Sequence, residues 1–528
     1  MIQRPRRMSN LPTTPARPKR RRSAAPLCVV LAPLLTVACS LTAHAQPGPA
    51  CERLVGVALS EASVVNATPV AAGALEPALD DTVDVAVPFC RVSVVARPTP
   101  ASEIGIEVWL PEPSAWTGRL WGWGNSGYGG SIAYPRLAEA LGAGYATVAT
   151  DGGHRGRGTA WALRQPEKVA DLGHRAVYLA AVAAKALAAA HYGEAPRFAY
   201  FSGYSTGGTQ GLRLAQRYPD AYDGILAGGA DQDWTGLYLW LGHLQFEQLT
   251  DPTRHLSPAQ VAALAAAALA VCGDASGTVS SPDRCSVDAV LGAYASSAET
   301  PLTAPQTDYV RMLYAGPADP AGEPLVIGYA PGSEAGWDGV HFGGTAGRGS
   351  WVAGYLTSFF RNVAYGDTTW TPAAFRFDRD SARTDAALAD AMNATDPDLR
   401  RFAARGGRLI LWHGWSDPLV PAGFTLQYHE RVREALGPLA ASDAVRLFMV
   451  PGVGHQSGDS HRRLGAALQA WVETGVAPER ATSVVGDGPG GPGSFAPTRL
   501  LCAWPRAARY RGSGPPKDAA SYDCVLPD

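Results

Sequence analysis

The chain has 528 residues, 46% hydrophobic and 17% charged, with 59 Gly and 42 Pro; this composition excludes a collagen-like or wholly disordered chain. The formal charge of −2 conceals an asymmetry: residues 1–45 hold eight Lys or Arg and no acid, which leaves 37 basic against 47 acidic residues beyond them. A body that acidic lacks the electrostatic footprint of a nucleic-acid-binding protein.

Residues 1–45 read as a secretory signal. The basic run Lys19-Arg20-Arg21-Arg22 precedes an apolar stretch from about Ala24 to Ala38, and Ala43-His44-Ala45 supplies a small-x-small cleavage site. Acylation at Cys39 is the alternative use of this segment, although the residues before it fit poorly. The apolar stretch is short and broken by Pro26 and Pro33, and nothing later approaches the roughly 18 apolar residues of a membrane helix. An exported, soluble mature protein without a membrane span is expected. Six cysteines remain beyond the signal: Cys51, Cys90, Cys272, Cys285, Cys502 and Cys524. An even count in an exported chain with no C-x-x-C favours disulfides over metal ligands, and locality predicts the pairs 51–90, 272–285 and 502–524.

Alternating apolar residues from Phe89 to Leu110 predict a two-stranded hairpin, and Arg119–Trp123 predicts a strand running into the Gly-rich turn Gly124–Gly130. A helix (Tyr134–Leu141), a strand (Tyr145–Thr150), an Ala-rich helix (Leu172–His191), a strand (Phe198–Ser202), a helix to about Tyr218 and a strand (Asp223–Gly228) follow. Such alternation implies an α/β fold, a mostly parallel sheet with helices on both faces. Between about Gln232 and Leu399 the pattern breaks into an Ala-rich helix (Ala259–Cys272), a cysteine-bracketed loop and irregular stretches rich in Gly, Trp and Tyr. It returns as strand Arg408–Trp412, helix Pro421–Leu436, strand Val445–Val450 and helix Arg462–Thr474. The predicted organisation is a signal (1–45), a core in two parts (46–231 and 400–528) and an insertion (232–399), with Gly486–Gly493 a surface loop.

Gly203-Tyr204-Ser205-Thr206-Gly207 matches G-x-S-x-G between an apolar strand and a helix. A sharp strand-to-helix turn there lifts a serine hydroxyl above the sheet as a nucleophile, and the amide of Thr206 then faces a developing oxyanion. The order Ser, acid, His points to Asp417, just past Arg408–Trp412, and to His455, just past Val445–Val450, both where open α/β sheets place their chemistry. His461 is the fallback base; Asp443 precedes its strand and Asp459 follows the histidine, so both fit less well as the acid. His413 and His429 read as packing or surface residues. The second oxyanion donor is expected from the turn Gly124–Gly130, with Gly127 the chosen residue.

With these parts in order, the chain resembles the tannase/feruloyl esterase family of α/β-hydrolases from about Cys51 to Cys524. The resemblance is carried by Gly124-Asn125-Ser126-Gly127-Tyr128-Gly129-Gly130-Ser131, Ala149-Thr150-Asp151-Gly152-Gly153-His154, Tyr200–Gly208, Asn393–Leu399, Gly407–Asp417, Pro451–His455 and Ala508–Gly514. It implies an α/β-hydrolase fold with a large inserted lid, a triad of Ser205, Asp417 and His455, and an oxyanion hole from Gly127 and Thr206. Two departures stand out. Where family members carry cysteines beside the nucleophile and the histidine, joined as a disulfide, this chain has Tyr204 and Gln456; Tyr204 packing, with a hydrogen bond to Gln456, is expected to replace that tie. The family's lid carries a calcium loop, but Cys272–Cys285 is shorter and has only Asp274 and Asp283 as carboxylates, so neither metal nor other cofactor is expected.

The expected activity is that of a serine carboxylesterase on small-molecule esters of aromatic acids such as hydroxycinnamates or gallates. A mono(hydroxyethyl) terephthalate-type monoester hydrolase is the alternative enzyme, with Arg361 as partner of the substrate carboxylate, and an inactive binding protein on the same fold is the alternative class. Trp337, Trp351, Phe359 and Phe360 are the candidate lid aromatics of the acyl pocket.

Overall fold

The computed structural model describes residues 51–78, 81–318, 327–343, 349–455, 459–484 and 498–526. The signal segment with Cys39, Gln456 and the loop Gly486–Gly493 lie outside the described residues.

The strands in chain order are β1 (Ala62–Val70), β2 (Gly73–Ala78), β3 (Asp81–Val85), β4 (Phe89–Ala96), β5 (Ile104–Pro111), β6 (Arg119–Trp123), β7 (Ala146–Thr150), β8 (Phe198–Tyr204), β9 (Gly224–Gly228), β10 (Arg408–Gly414) and β11 (Val445–Val450). The main sheet runs β1-β4-β5-β7-β6-β8-β9-β10-β11, with β2 and β3 paired apart from it. Its first four strands pair antiparallel, and from β7 onward every pair is parallel. Three helices follow sheet strands directly in the first half of the chain: α1 (Tyr134–Gly142), α3 (Ala176–Tyr192) with the short α2 (Pro166–Ala170) before it, and α4 (Thr206–Arg217).

Successive strand residues point to opposite faces, and the two cores divide accordingly. Phe201, Ile225 and Leu409 pack with Val177 and Leu187 of α3 and Leu212 of α4. Their neighbours Tyr200, Leu226 and Ile410 pack on the other face with Leu464, Leu468 and Trp471. Five-residue β9, Gly-Ile-Leu-Ala-Gly, is buried throughout, as expected for a strand covered on both sides.

Between β9 and β10 the described residues add no strand to the main sheet. They form α5 (Trp234–Thr250), α6 (Pro258–Cys272), α7 (Val287–Ser297), α8 (Ala304–Ala315), α9 (Trp351–Ser358), α10 (Phe377–Met392) and α11 (Arg400–Ala404). Much of what reads as irregular in the sequence is therefore helical. Helix α5 explains why: Trp234-Thr-Gly-Leu-Tyr-Leu-Trp-Leu-Gly is apolar all round and buried, so it shows no one-sided 3.6-residue pattern. After β10 come α12 (Ala422–Leu436), α13 (Pro438–Ala444), β11 and α14 (Ser460–Thr474). Two small antiparallel pairs close the chain, β12 (Arg480–Val484) with β13 (Thr498–Cys502) and β14 (Ala507–Tyr510) with β15 (Tyr522–Val525).

The cysteines pair as locality predicts: Cys51–Cys90, Cys272–Cys285 and Cys502–Cys524, with Cα–Cα distances of 5.5, 5.7 and 5.6 Å. Among the described residues no helix is long and apolar enough to cross a membrane.

Candidate active site

Strand β8 ends in a turn whose apex is Ser205, at φ 58° and ψ −127°. A non-glycine residue pays for positive φ, and its surroundings hold it there: Ser205 N donates to Gly228 O at 2.9 Å, and Ser205 O accepts from Thr209 N at 3.0 Å. The turn closes only without side chains, since a Cβ on Gly203 would lie 2.0 Å from Gly207 O. Helix α4 starts at Thr206, so the first free amides of that helix stand beside the serine.

Strands β10 and β11 are adjacent and parallel, with Gly414 opposite Val450, so the loops beyond them emerge side by side. Trp415 N donates to Val450 O and Ser416 N to Val453 O, knitting the two loops together. His455 thereby lies between the other two residues: its Nε2 is 3.1 Å from Ser205 Oγ and its Nδ1 is 2.7 Å from Asp417 Oδ2. Asp417 is buried, and its Oδ1 accepts from the amides of Leu419 and Val420, both at 2.9 Å. Burial opposes the charge on Asp417, yet His455 and His413 hold its pKa well below the usual carboxylate range. Burial also opposes charge on His455, but the Asp417 carboxylate outweighs it and keeps the imidazole pKa above 6.5. The fallback His461 sits on α14 beside Arg136, away from this row.

Tyr204 reaches the same group. Its Oη lies 3.4 Å from both Asp417 Oδ2 and Gly454 O, and its ring packs 5.0 Å from Trp412 and 5.2 Å from His455 between centroids. The expected partner Gln456 is outside the described residues, but the tyrosine bridges β8, Asp417 and the loop of His455 without it.

The turn after β6 is fixed to α4. Asn125 N donates to Gln210 Oε1 at 2.9 Å, Gln210 Nε2 returns a bond to Asn125 Oδ1 at 3.0 Å, and Asn125 Nδ2 donates to Thr150 O at 2.7 Å. Gly130 and Gly156 exchange backbone hydrogen bonds, and a His154 ring nitrogen meets Tyr128 O at 2.5 Å. Gly127 lies within this braced turn at φ 54°, and a Cβ on it would be 3.2 Å from Tyr355 Oη. Gln210 and His154 escape a sequence reading because their partners are distant in the chain.

Aromatic rings gather beside Gly127. Tyr128 stacks on Tyr355 of α9 at 4.2 Å between centroids, and Tyr238 Oη meets Tyr355 Oη at 3.1 Å. Of the aromatic residues singled out from sequence, Phe359 belongs to this cluster, Phe360 packs on Phe359 at 4.9 Å, Trp351, 56% exposed, meets Tyr355 edge-on at 5.9 Å, and Trp337 is buried against Tyr314 and Tyr329. Arg361 donates from Nε to Trp370 O at 2.6 Å. In the loop Cys272–Cys285, Asp274 Oδ1 accepts from the amide and hydroxyl of Ser276.

A serine at the elbow after β8, facing loops beyond β10 and β11, places the chain among the α/β-hydrolases. More narrowly, it belongs to the tannase and feruloyl esterase family, whose model matches residues 90–525, and it is a carboxylic ester hydrolase. An uncharacterized esterase of Xanthomonas campestris pv. campestris is 36% identical, over 94% of this chain and 95% of the relative. A probable feruloyl esterase B-1 of Aspergillus terreus is 29% identical over 84% and 87%. The crystal structure of feruloyl esterase B from Aspergillus oryzae superposes with a TM-score of 0.80 at 26% identity, covering 90% of this chain and 99% of that one.

Proposed function

We propose that the chain is an exported serine carboxylesterase acting on esters of aromatic acids of the feruloyl or galloyl type, with Ser205 as nucleophile, His455 as base and Asp417 as acid. The observation that carries this reading is the unbroken row from Ser205 Oγ through both nitrogens of His455 to Asp417 Oδ2, at 3.1 and 2.7 Å.

Neutral His455 accepts the Ser205 proton as the oxygen attacks the ester carbonyl, and Asp417 stabilises the imidazolium that forms. The amides of Gly127 and Thr206 receive the oxyanion, a type of contact worth roughly 2.7–4 kcal/mol each. His455 passes its proton to the departing alcohol; water then attacks the acyl-enzyme with His455 again as base, releasing the acid and restoring Ser205. These steps use no cofactor, and the loop Cys272–Cys285 is assigned no metal. The helical segment between β9 and β10 acts as the lid, and Tyr128, Tyr238 and Tyr355 form an aromatic wall suited to an aromatic acyl group. The names of the feruloyl esterase relatives support the same substrate class. Three disulfides support export, since such bonds persist in oxidising compartments.

The test is turnover of methyl ferulate, methyl gallate, mono(hydroxyethyl) terephthalate and a short p-nitrophenyl ester by the wild type and Ser205→Ala. Hydrolysis of a ferulate or gallate ester that disappears in the variant is the expected result. Turnover of the p-nitrophenyl ester alone would overturn the aromatic-acid assignment, and turnover that survives Ser205→Ala would overturn the nucleophile.

A further inference from the structure

Asp417 Oδ2 has three donors around it, not one. His455 Nδ1 is at 2.7 Å, His413 Nε2 at 3.3 Å and Tyr204 Oη at 3.4 Å. His413 is fully buried near the end of β10. Its Nε2 also faces Val420 O at 3.0 Å, and its Nδ1 faces Thr425 Oγ1 of α12 at 2.6 Å. Both neighbours of Nε2 are acceptors, so that nitrogen carries a ring proton, while Nδ1 is held by the Thr425 hydroxyl. Thr425, His413, Asp417, His455 and Ser205 therefore stand in one continuous series of polar contacts from α12 to Ser205, in which the His413 Nε2–H lies closest to Val420 O and reaches Asp417 Oδ2 at 3.3 Å.

We propose that His413 is a positioning residue for the reaction: anchored by Thr425, it holds the outer oxygen of Asp417 in line with His455 and limits how strongly that oxygen draws the base's proton. The proposal rests on the reading of Ser205, His455 and Asp417 as the reacting group. The three distances give it its logic. The short bond goes to the base, and the two longer ones restrain the carboxylate without displacing His455. The donors on both oxygens also offset the cost of a buried charge. Other titratable groups face the same place: Tyr204 from β8; Asp231 beyond β9, whose Oδ1 is already taken by the Thr209 hydroxyl; and Tyr329 of the helical segment, whose Oη donates to Leu419 O at 3.2 Å. Replacing His413 by a neutral residue changes none of these charges while the protein stays folded.

The sign of the effect follows. A carboxylate that loses a donor becomes the stronger acceptor, binds the imidazolium of His455 more tightly and raises the pH at which the base becomes neutral. Activity needs neutral His455, so the acidic limb of kcat/KM should move to higher pH.

The experiment is the pH profile of kcat/KM for the full mature chain and three variants. His413→Leu should move the acidic limb upward by roughly half to one pH unit and lower kcat about tenfold at unchanged KM. His413→Gln, whose amide nitrogen can occupy the place of Nε2, should return the limb to the wild-type position. Tyr204→Phe should shift it in the same direction as His413→Leu but less, and it carries the test if the leucine variant does not fold. A limb that stays at the wild-type pH in His413→Leu, or in Tyr204→Phe where that variant stands alone, would reduce His413 to a packing residue, even if melting temperature and kcat fall. Ser205→Ala run alongside separates the two failures: an unmoved limb in a Ser205-dependent enzyme sinks only the role of His413.

Discussion

Asn125 and Gln210 hold each other by two reciprocal hydrogen bonds, backbone amide to side-chain oxygen at 2.9 Å and side-chain amide to side-chain oxygen at 3.0 Å. One residue lies in the turn that carries Gly127, the other on the helix that begins at Thr206, so the pair sets the spacing between the two proposed oxyanion donors. Gln210→Met keeps the volume and loses these bonds. Its kcat should fall about tenfold to a hundredfold with KM little changed, because a misplaced donor costs the transition state most. Steady-state kinetics on a ferulate ester measure it, and an unchanged kcat would remove the pair from the catalytic frame.

Tyr204→Ala should lower both melting temperature and kcat. The ring fills the space between Trp412 and His455, and emptying such a site costs about 3 kcal/mol. Thermal denaturation beside activity measures both, and a variant unchanged in each would show that the tyrosine does not tie the two loops.

Glu334 is a buried acid in the helical segment, accepting from Tyr314 Oη at 2.6 Å and from Gly332 N at 2.8 Å. Burial pushes its pKa up from 4.5 to about 7. The folded protein thus takes up a proton near pH 7 that the unfolded chain binds only near 4.5; stability from this group rises as pH falls through that window and is lost above it. Glu334→Gln mimics the protonated form, so it should stabilise the protein at pH 8.5, by up to about 3 kcal/mol, and make little difference at pH 4. Equal gains at both pH values would contradict the assignment.

The disulfides should open in order of exposure. Cys51 and Cys90 are both buried, whereas Cys272 and Cys285 are only partly so, and access governs thiol attack. Mild reductant followed by alkylation and mass mapping should therefore label Cys272 and Cys285 before Cys51 and Cys90. Their removal should cost about 3 kcal/mol for a 13-residue separation. Earlier labelling of Cys51 would reverse the ranking.

The legible parts of this protein were those whose signal is local. The elbow shows in sequence because its strained turn needs glycines two residues before and after Ser205, and β8, β9, β10 and β11 show because short apolar runs bounded by turns have few other uses. The order of Ser205, Asp417 and His455 along the chain pointed to strand ends that the parallel sheet does bring together. Helix α5 was less legible, because burial on every side erases periodicity.

Sequence alone determined the alternating strands and helices of the core from β4 to β9 and from β10 to α14, the local disulfide pairs and the residues offered at each strand end, since all of these depend on near neighbours. Only the tertiary structure decided what those residues touch. Asn125 meets Gln210 across 85 residues, Tyr204 meets Asp417 across 213, and Tyr355 reaches Gly127 from a helix on the far side of the nucleophile in the chain. Such contacts depend on strand order and register, which place loops side by side regardless of their separation along the chain. His413 shows the limit most plainly: its sequence neighbours mark it as the end of a buried strand, and only the fold turns its ring toward the acid.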